Sequence, residues 1–183
     1  MDDIERARMP EFYKMWTVIR GLLKDGKRGQ EVIRRLRAKG CQVWSYSCGR
    51  YMQTLSVLDY YRLYAWECYL NGLDGMAFWT AMSVKDDPFD HRDGYDDGVM
   101  LAWHGGKPIP TKRLQAIREG LEDVAYIAQL KKELARCKAK GLNFPEYEKL
   151  LAECNDIRKA PTQEKVDSWR DRCGAAIDVL SRK

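Results

Sequence analysis

Aromatic side chains are the residues of this chain best suited by type and spacing to contact a ligand. Trp44 and Tyr46 lie two positions apart in the alternating segment 41–47, which puts them on one face of a strand. Trp79 ends a second short apolar segment. A flat aromatic face can stack on an apolar ring, and the indole N–H or phenol O–H adds a hydrogen bond. Trp44, Tyr46 and Trp79 are therefore our candidate binding residues, with packing in the core as the alternative for each.

Carboxylates are concentrated in the segment 82–98. Its six aspartates are Asp86, Asp87, Asp90, Asp93, Asp96 and Asp97. A connection of this length inside a compact domain is uncommon and often functional. Asp87, which precedes Pro88, is the candidate from this segment, because it lies close to the end of the preceding predicted strand and could accept a hydrogen bond from a ligand. The spacing does not match the calcium-loop pattern, and a solvated loop is the alternative.

Metal-ligating and redox residues form no recognised pattern in this sequence. His91 and His104 are the only histidines, and neither has a cysteine or carboxylate at a metal-ligand spacing. The six cysteines include no C-x-x-C pair. We expect Cys68, Cys154 and Cys173 to be reduced thiols in the core, because they fall at apolar helical positions. The sequence therefore predicts no metal site and no cofactor.

The elements that position these residues alternate between helix and strand. Apolar spacing predicts helices over 11–23, 30–39, 55–70 and 111–139, strands over 41–47, 73–80 and 99–103, and a helical pair over the last part of the chain. Short connections between helix and strand are typical of parallel β/α units, so we expect the strands 41–47 and 73–80 to be parallel neighbours. Gly120 lies inside the long helix at a cost of about 1 kcal/mol relative to alanine, which indicates that another backbone approaches closely there.

Composition and charge exclude several classes of protein. Six Trp, ten Tyr and four Phe in 183 residues are too many for an extensively disordered chain. The longest apolar run, at 99–103, is far shorter than the roughly 20 residues of a spanning helix, and the first residues contain no apolar signal segment. The net charge is positive in the flanking segments 1–40 and 111–183 and negative in 41–110. This pattern argues against a continuous cationic surface for nucleic acid.

Three ordered sequence blocks resemble one enzyme family. The blocks are the V-W-x-Y-x-C strand at 43–48, the R-x-x-x-W helix leading into N-G-x-D-G-x-x-x-W at 62–79, and the R-L-x-x-x-R-E-G-x-E-D helix at 113–123. In this order they resemble the C-terminal catalytic-barrel segment of glycoside hydrolase family 123, also known as domain-of-unknown-function family 4091. The resemblance covers roughly residues 30 to 135.

The resemblance implies a TIM-like barrel that hydrolyses β-linked N-acetylgalactosamine with retention of configuration. In that family the substrate's own 2-acetamido group is the nucleophile, an Asp orients it, and the neighbouring Glu serves as general acid and base. This sequence contains no Asp-Glu dipeptide, so we name no catalytic residue. The length of 183 residues is also below the roughly 250 of a complete barrel. Members of the family are often exported, and the compartment of this chain is left open.

The sequence thus predicts an α/β fold, namely a partial TIM-like (β/α) barrel of C-terminal β/α units with an appended C-terminal helical hairpin. We expect a helical pair over 1–40, the barrel portion over 41–140 and the hairpin over 141–183. The predicted function is that of the C-terminal portion of a family 123-like glycosidase, incomplete and inactive alone. Its substrate-binding residues are Trp44, Tyr46, Trp79 and Asp87.

The predicted partners are an amino-sugar glycan and either the missing N-terminal barrel half or a second copy of the chain, without a membrane. Two other functions stay open. The first is a non-catalytic carbohydrate-binding or assembly module built on the same aromatic residues. The second is a basic helical scaffold or nucleic-acid partner that uses the basic run 34–39 and the C-terminal helices.

Overall fold

The chain has an α/β fold that divides into two units. A computed structural model describes residues 13–48, 55–83 and 98–183. One unit takes its residues from 1–55 and 67–114, and the other from 56–66 and 115–183. Strands are found in the first unit, whereas the second is helical, so the predicted α/β class is confirmed.

A three-stranded parallel sheet organises the first unit. Its strands are β1 (Met15–Ile19), β2 (Gln42–Ser47) and β3 (Gly75–Phe78), in the order β1-β2-β3. The helical segments between them in sequence are α1 (Gly21–Lys24), α2 (Lys27–Ala38), and the π-helical turns Val57–Arg62 that continue into α3 (Leu63–Leu70). Sequential order with parallel pairing is the arrangement of consecutive β/α units. The prediction that β2 and β3 are parallel neighbours is confirmed.

The strand β1 is not the helix that the sequence predicts over 11–23. That prediction is wrong at Met15–Ile19, which pairs with β2 along its whole length. Apolar residues in this segment do have helical spacing, but Thr17, Val18 and Ile19 are consecutive β-branched residues, which fit a pleated sheet better than a helix. The sheet therefore has one more parallel strand than the sequence predicts.

Two short antiparallel pairs follow β3. They are β4 (Met82–Ser83) with β5 (Gly98–Val99), and β6 (Leu101–His104) with β7 (Lys107–Pro110). Gly105 and Gly106 turn the second hairpin with φ angles of 56° and 75°, which side chains rarely allow. The single strand predicted over 99–103 is therefore divided between β5 and β6.

Three helices supply most of the second unit. They are α4 (Lys112–Ala139), α5 (Pro145–Lys159) and α6 (Gln163–Ser181), which confirm the predicted long helix and C-terminal helical pair. Its buried side chains include Ile127, Leu130, Cys154, Val166, Trp169 and Leu180. The Trp169 indole nitrogen donates to the Leu150 carbonyl oxygen at 2.9 Å, so this large residue is buried with its polar group satisfied.

Gly120 allows α4 to lie against the backbone of the π-helical turns. A Cβ atom at this position would lie 2.1 Å from the Arg62 carbonyl oxygen, far inside van der Waals contact. The close backbone approach that the sequence predicts at Gly120 is therefore confirmed. Any side chain here would push these two helical segments apart.

The described parallel strands do not form a closed barrel. Within residues 13–48, 55–83 and 98–183 there are three such strands, in one open sheet. No helix in these ranges is long and apolar enough to cross a membrane.

Candidate functional site

The two faces of the parallel sheet have different environments. Along β2, Val43, Ser45 and Ser47 are buried, and α2 packs on this strand. Trp44 and Tyr46 alternate with them and are half-buried on the opposite face. We call this opposite face the open face. In the described strands it comprises Met15, Thr17, Ile19, Gln42, Trp44, Tyr46, Gly75 and Ala77, according to the register of the parallel ladders.

Trp44 lies flat across the middle of the open face. Its partner in the register is Gly75 of β3, and a Cβ atom on Gly75 would lie 2.5 Å from the Trp44 ring. The indole therefore occupies the space that a side chain on β3 would need. The indole nitrogen is buried and has no hydrogen-bond partner in the described part of the chain. Packing, the alternative reading for Trp44, accounts for this position.

Tyr46 and Trp79 lie toward the carboxyl ends of their strands. The Trp79 backbone N–H donates to the Ser47 carbonyl oxygen at 2.9 Å, so the ladder between β2 and β3 continues to Trp79. Trp79 follows Ala77 by two positions, and this phase places it on the open face with Tyr46. Trp79 is 66% exposed, and the Trp79–Thr80 peptide bond is cis. Both residues are accessible aromatic groups at the carboxyl ends of the parallel strands. We call this end of the open face the carboxyl edge.

Ile19 is a member of this edge that sequence reasoning missed. It is opposite Tyr46 in the register, and Tyr46 is opposite Ala77, so the three residues form one row across the sheet. The missed signal is the β-branched run at Thr17, Val18 and Ile19, which was interpreted as part of a helix. The edge therefore combines aliphatic and aromatic groups.

The remaining residues that the sequence singles out are the candidate Asp87 and the two histidines. Asp87 and His91 lie outside the described residues. His104 is at the end of β6 and is exposed. Among the residues that the structure describes, no group of three or more His, Cys, Asp or Glu side chains could hold a metal ion.

A buried charged cluster lies in the second unit. The Arg62 Nε atom donates to Asp123 at 2.8 Å, and Nη1 contacts both Asp167 at 2.8 Å and Glu119 at 3.2 Å. Arg170 also donates to Asp123 and, at 2.8 Å, to the Glu119 carbonyl oxygen. Burial alone would lower the pKa of Arg62, but the hydrogen bonds that it donates to Asp123 and Asp167 hold this pKa above its usual value.

These charges are paired with one another, so the cluster is architectural rather than poised for proton transfer. Arg118 and Glu122, four positions apart on α4, form a further ion pair on the same helix, with 3.5 Å between Nε and Oε1.

Three arginines of the basic run 34–39 form ion pairs with carboxylates. Arg34 contacts Glu31 at 2.7 Å, Arg35 contacts the same carboxylate at 2.6 Å, and Arg37 contacts Asp74 at 2.8 Å. Neutralised guanidinium groups release fewer counterions on binding phosphates. These pairs weigh against strong phosphate binding by the three arginines, and the helical scaffold or nucleic-acid partner stays an untested alternative.

No family model, curated protein or solved structure matches this chain.

Proposed function

We propose that this chain is the C-terminal portion of a β/α-barrel glycoside hydrolase resembling family 123, and that it contacts an amino-sugar glycan through the carboxyl edge of its open face. One observation carries the proposal: three sequential parallel strands leave Tyr46 and Trp79 accessible on one face at their carboxyl ends. In β/α barrels the ligand site is built at that end of the strands.

The residues of this edge suit the binding of a sugar. The exposed Trp79 ring can stack on the C–H face of a pyranose. The Tyr46 hydroxyl has no hydrogen-bond partner among the described residues, so it is available to a sugar hydroxyl. A bound sugar would thus contact the apolar Trp79 ring and, beside it, the Tyr46 hydroxyl.

The described strand residues of the open face supply no carboxylic acid or carboxylate, and the sequence contains no Asp-Glu pair. Glycoside hydrolysis needs proton donation to the leaving oxygen, and substrate assistance by an acetamido group does not replace that donor. We therefore assign this chain a binding role and place the acid and base on barrel strands outside it.

The accessible aromatic residues Tyr46 and Trp79 also favour a second candidate, a non-catalytic carbohydrate-binding module. An aromatic face without carboxylates can bind a glycan with no cleavage. The two functions differ in what must complete the sheet: a glycosidase needs further β/α units carrying an Asp-Glu pair, whereas a binding module does not.

A fluorescence titration with N-acetylgalactosamine tests the sugar contact. Trp79→Ala is expected to weaken binding about tenfold, because it removes a stacking surface. Trp103→Ala in β6 is the matched control, since Trp103 is 62% exposed but lies in a different sheet. Absence of a sugar-dependent signal from the unaltered chain would reject both functions.

Two further results distinguish the glycosidase from the binding module. An in-frame or adjoining coding segment upstream that contains an Asp-Glu strand supports the glycosidase. The chain alone is expected not to cleave an aryl N-acetyl-β-galactosaminide. Turnover that disappears with Glu119→Gln would show that the catalytic acid lies within this chain, and would contradict the division of roles proposed above.

A further inference from the structure

We propose that the long helix α4 carries an apolar stripe through which two copies of this chain associate as an antiparallel dimer with two-fold symmetry. The stripe comprises five residues, which are Ile117, Leu121, Val124, Ala125 and Ala128. All of them belong to the second unit, and none lies in the parallel sheet that forms the open face. The proposal is therefore independent of the proposed function.

The stripe is not the side through which α4 packs in the second unit. The buried positions of this helix include Ala116, Gly120, Asp123, Ile127 and Leu130. An α-helix turns by about 100° per residue, so the stripe is centred about 120° around the helix from those positions. Leu121, at its centre, is 52% exposed, and Ala125 and Ala128 are exposed beside it. A contiguous apolar row on an exposed side indicates a surface for another protein.

The sizes of the side chains along the stripe favour a second, antiparallel copy as the occupant. The large Ile117 lies one turn before Leu121, and the small Ala125 lies one turn after it. A two-fold axis beside Leu121 puts Ile117 of each copy opposite Ala125 of the other, and the two Leu121 side chains against each other. Large residues then pack against small ones, so the two helices can approach closely. Parallel pairing would instead place Ala125 against Ala125 and leave a gap at that end.

The charges beside the stripe are complementary in the same arrangement. Arg118 and Glu122 are exposed and lie on one side of the stripe, whereas Arg113 and Lys131 lie on the other side. In an antiparallel pair the first side of one helix faces the first side of the other, so Arg118 of each copy comes within about one turn of Glu122 of the other. A parallel pair would face Arg118 toward the side that carries the other two cations. The second copy is therefore held by two symmetric contacts of opposite charge.

The length of the stripe limits the strength of the dimer. It extends from residue 117 to residue 128, which is about 17 Å along the helix. An interface of this length buries less than the roughly 800 Å² per partner of a typical stable complex. We therefore expect a reversible dimer with a dissociation constant of about 10–100 μM.

Sedimentation equilibrium of the full chain at about 5 to 500 μM tests the association. The average mass of the unaltered chain should rise from 21.3 kDa toward twice that value as the concentration increases. Leu121→Glu should weaken the association at least about tenfold, because it places two carboxylates together at the symmetry axis. Val179→Glu is the matched control, since Val179 is an exposed apolar residue of the same unit on a different helix, and it should associate as the unaltered chain does.

A mixing experiment tests the antiparallel arrangement. Arg118→Glu and Glu122→Arg should each weaken self-association about fivefold, because each places like charges in contact across the axis. An equimolar mixture of the two variants should associate as strongly as the unaltered chain, since every contact between the two different chains then joins opposite charges. Circular dichroism confirms that each variant keeps its helices.

Three results would overturn the proposal. The first is a mass of one chain at every concentration up to about 500 μM. The second is a folded Leu121→Glu chain that associates as strongly as the unaltered chain, or a Val179→Glu chain that loses association to the same extent, because the interface would then lie elsewhere. The third is a mixture of Arg118→Glu and Glu122→Arg that associates no better than either variant alone, which would exclude the antiparallel pairing.

Discussion

Replacing Gly120 with alanine tests the packing of α4 against the π-helical turns. Alanine has the higher helix propensity, so an unobstructed glycine-to-alanine change in a helix stabilises it by about 1 kcal/mol. At Gly120 the added Cβ would lie 2.1 Å from the Arg62 carbonyl oxygen and 2.9 Å from its carbonyl carbon. Ordinary carbon–oxygen contacts are about 3.3 Å, so the two backbones must separate by roughly 1 Å.

The cost of that separation exceeds the gain in helix propensity. Overpacking of a tight contact costs about 1–3 kcal/mol. The displacement also lengthens the buried contact between Arg62 and Asp123, which is 2.8 Å in the native chain. We place the total cost near the upper end of that range, at about 3 kcal/mol. Gly120→Ala should therefore lower the free energy of unfolding by about 2 kcal/mol after the propensity gain.

Gly174→Ala in α6 provides a matched control in the same unit. The nearest atom to its added Cβ would be Cε1 of Tyr126 at 3.4 Å, an ordinary contact. This variant should gain about 0.5–1 kcal/mol from helix propensity. Urea denaturation followed by circular dichroism measures both changes, provided that the two variants unfold with the same denaturant dependence. A Gly120→Ala chain as stable as Gly174→Ala would refute the close approach described for α4.

Two further predictions concern buried polar groups. Asp123→Asn should destabilise the chain by about 3 kcal/mol in the same urea assay, because it leaves the buried Arg62 with an incomplete set of carboxylate partners. Asp156→Asn, in an exposed ion pair, is the control and should change stability by less than about 0.5 kcal/mol. Equal effects of the two substitutions would contradict the buried cluster. Burial raises the pKa of Cys154 and of Cys173 to about 12, so both thiols stay protonated at pH 8. They should react with Ellman's reagent only after unfolding, whereas the exposed Cys48 should react in the native state. A fast reaction of the native chain that survives Cys48→Ser would count against this assignment.

Long periodic segments were predictable from the sequence, and a short edge strand was not. The helix α4 has many turns of consistent apolar spacing, and the strand β2 alternates aromatic and small residues, so a single period fits each. β1 has only five residues, and over so short a length helical and alternating spacing fit the same apolar residues. Its β-branched run was the better guide, because side-chain shape still distinguishes strand from helix at that length.

The sequence was sufficient to predict which aromatic residues share a face, but not that Ile19 lies beside them. Trp44, Tyr46 and Trp79 share a face because strand alternation fixes the phase within a strand and parallel pairing fixes it between strands. Ile19 joins them only through the register of a strand that the sequence did not indicate. Pairing between strands depends on contacts between distant parts of the chain, and the local spacing of apolar residues does not predict those contacts.

The order of synthesis has a consequence for the second unit, whose residues come from two separate stretches of the chain. Arg62 contacts Asp123 and Asp167, which follow it by 61 and 105 positions. A ribosome adds about 5–20 residues per second, so Arg62 waits several seconds or longer for its last carboxylate partner. During that interval the segment 56–66 is without the helices α5 and α6 that complete its unit. The second unit can therefore complete its fold only after the residues of α6 have been synthesised.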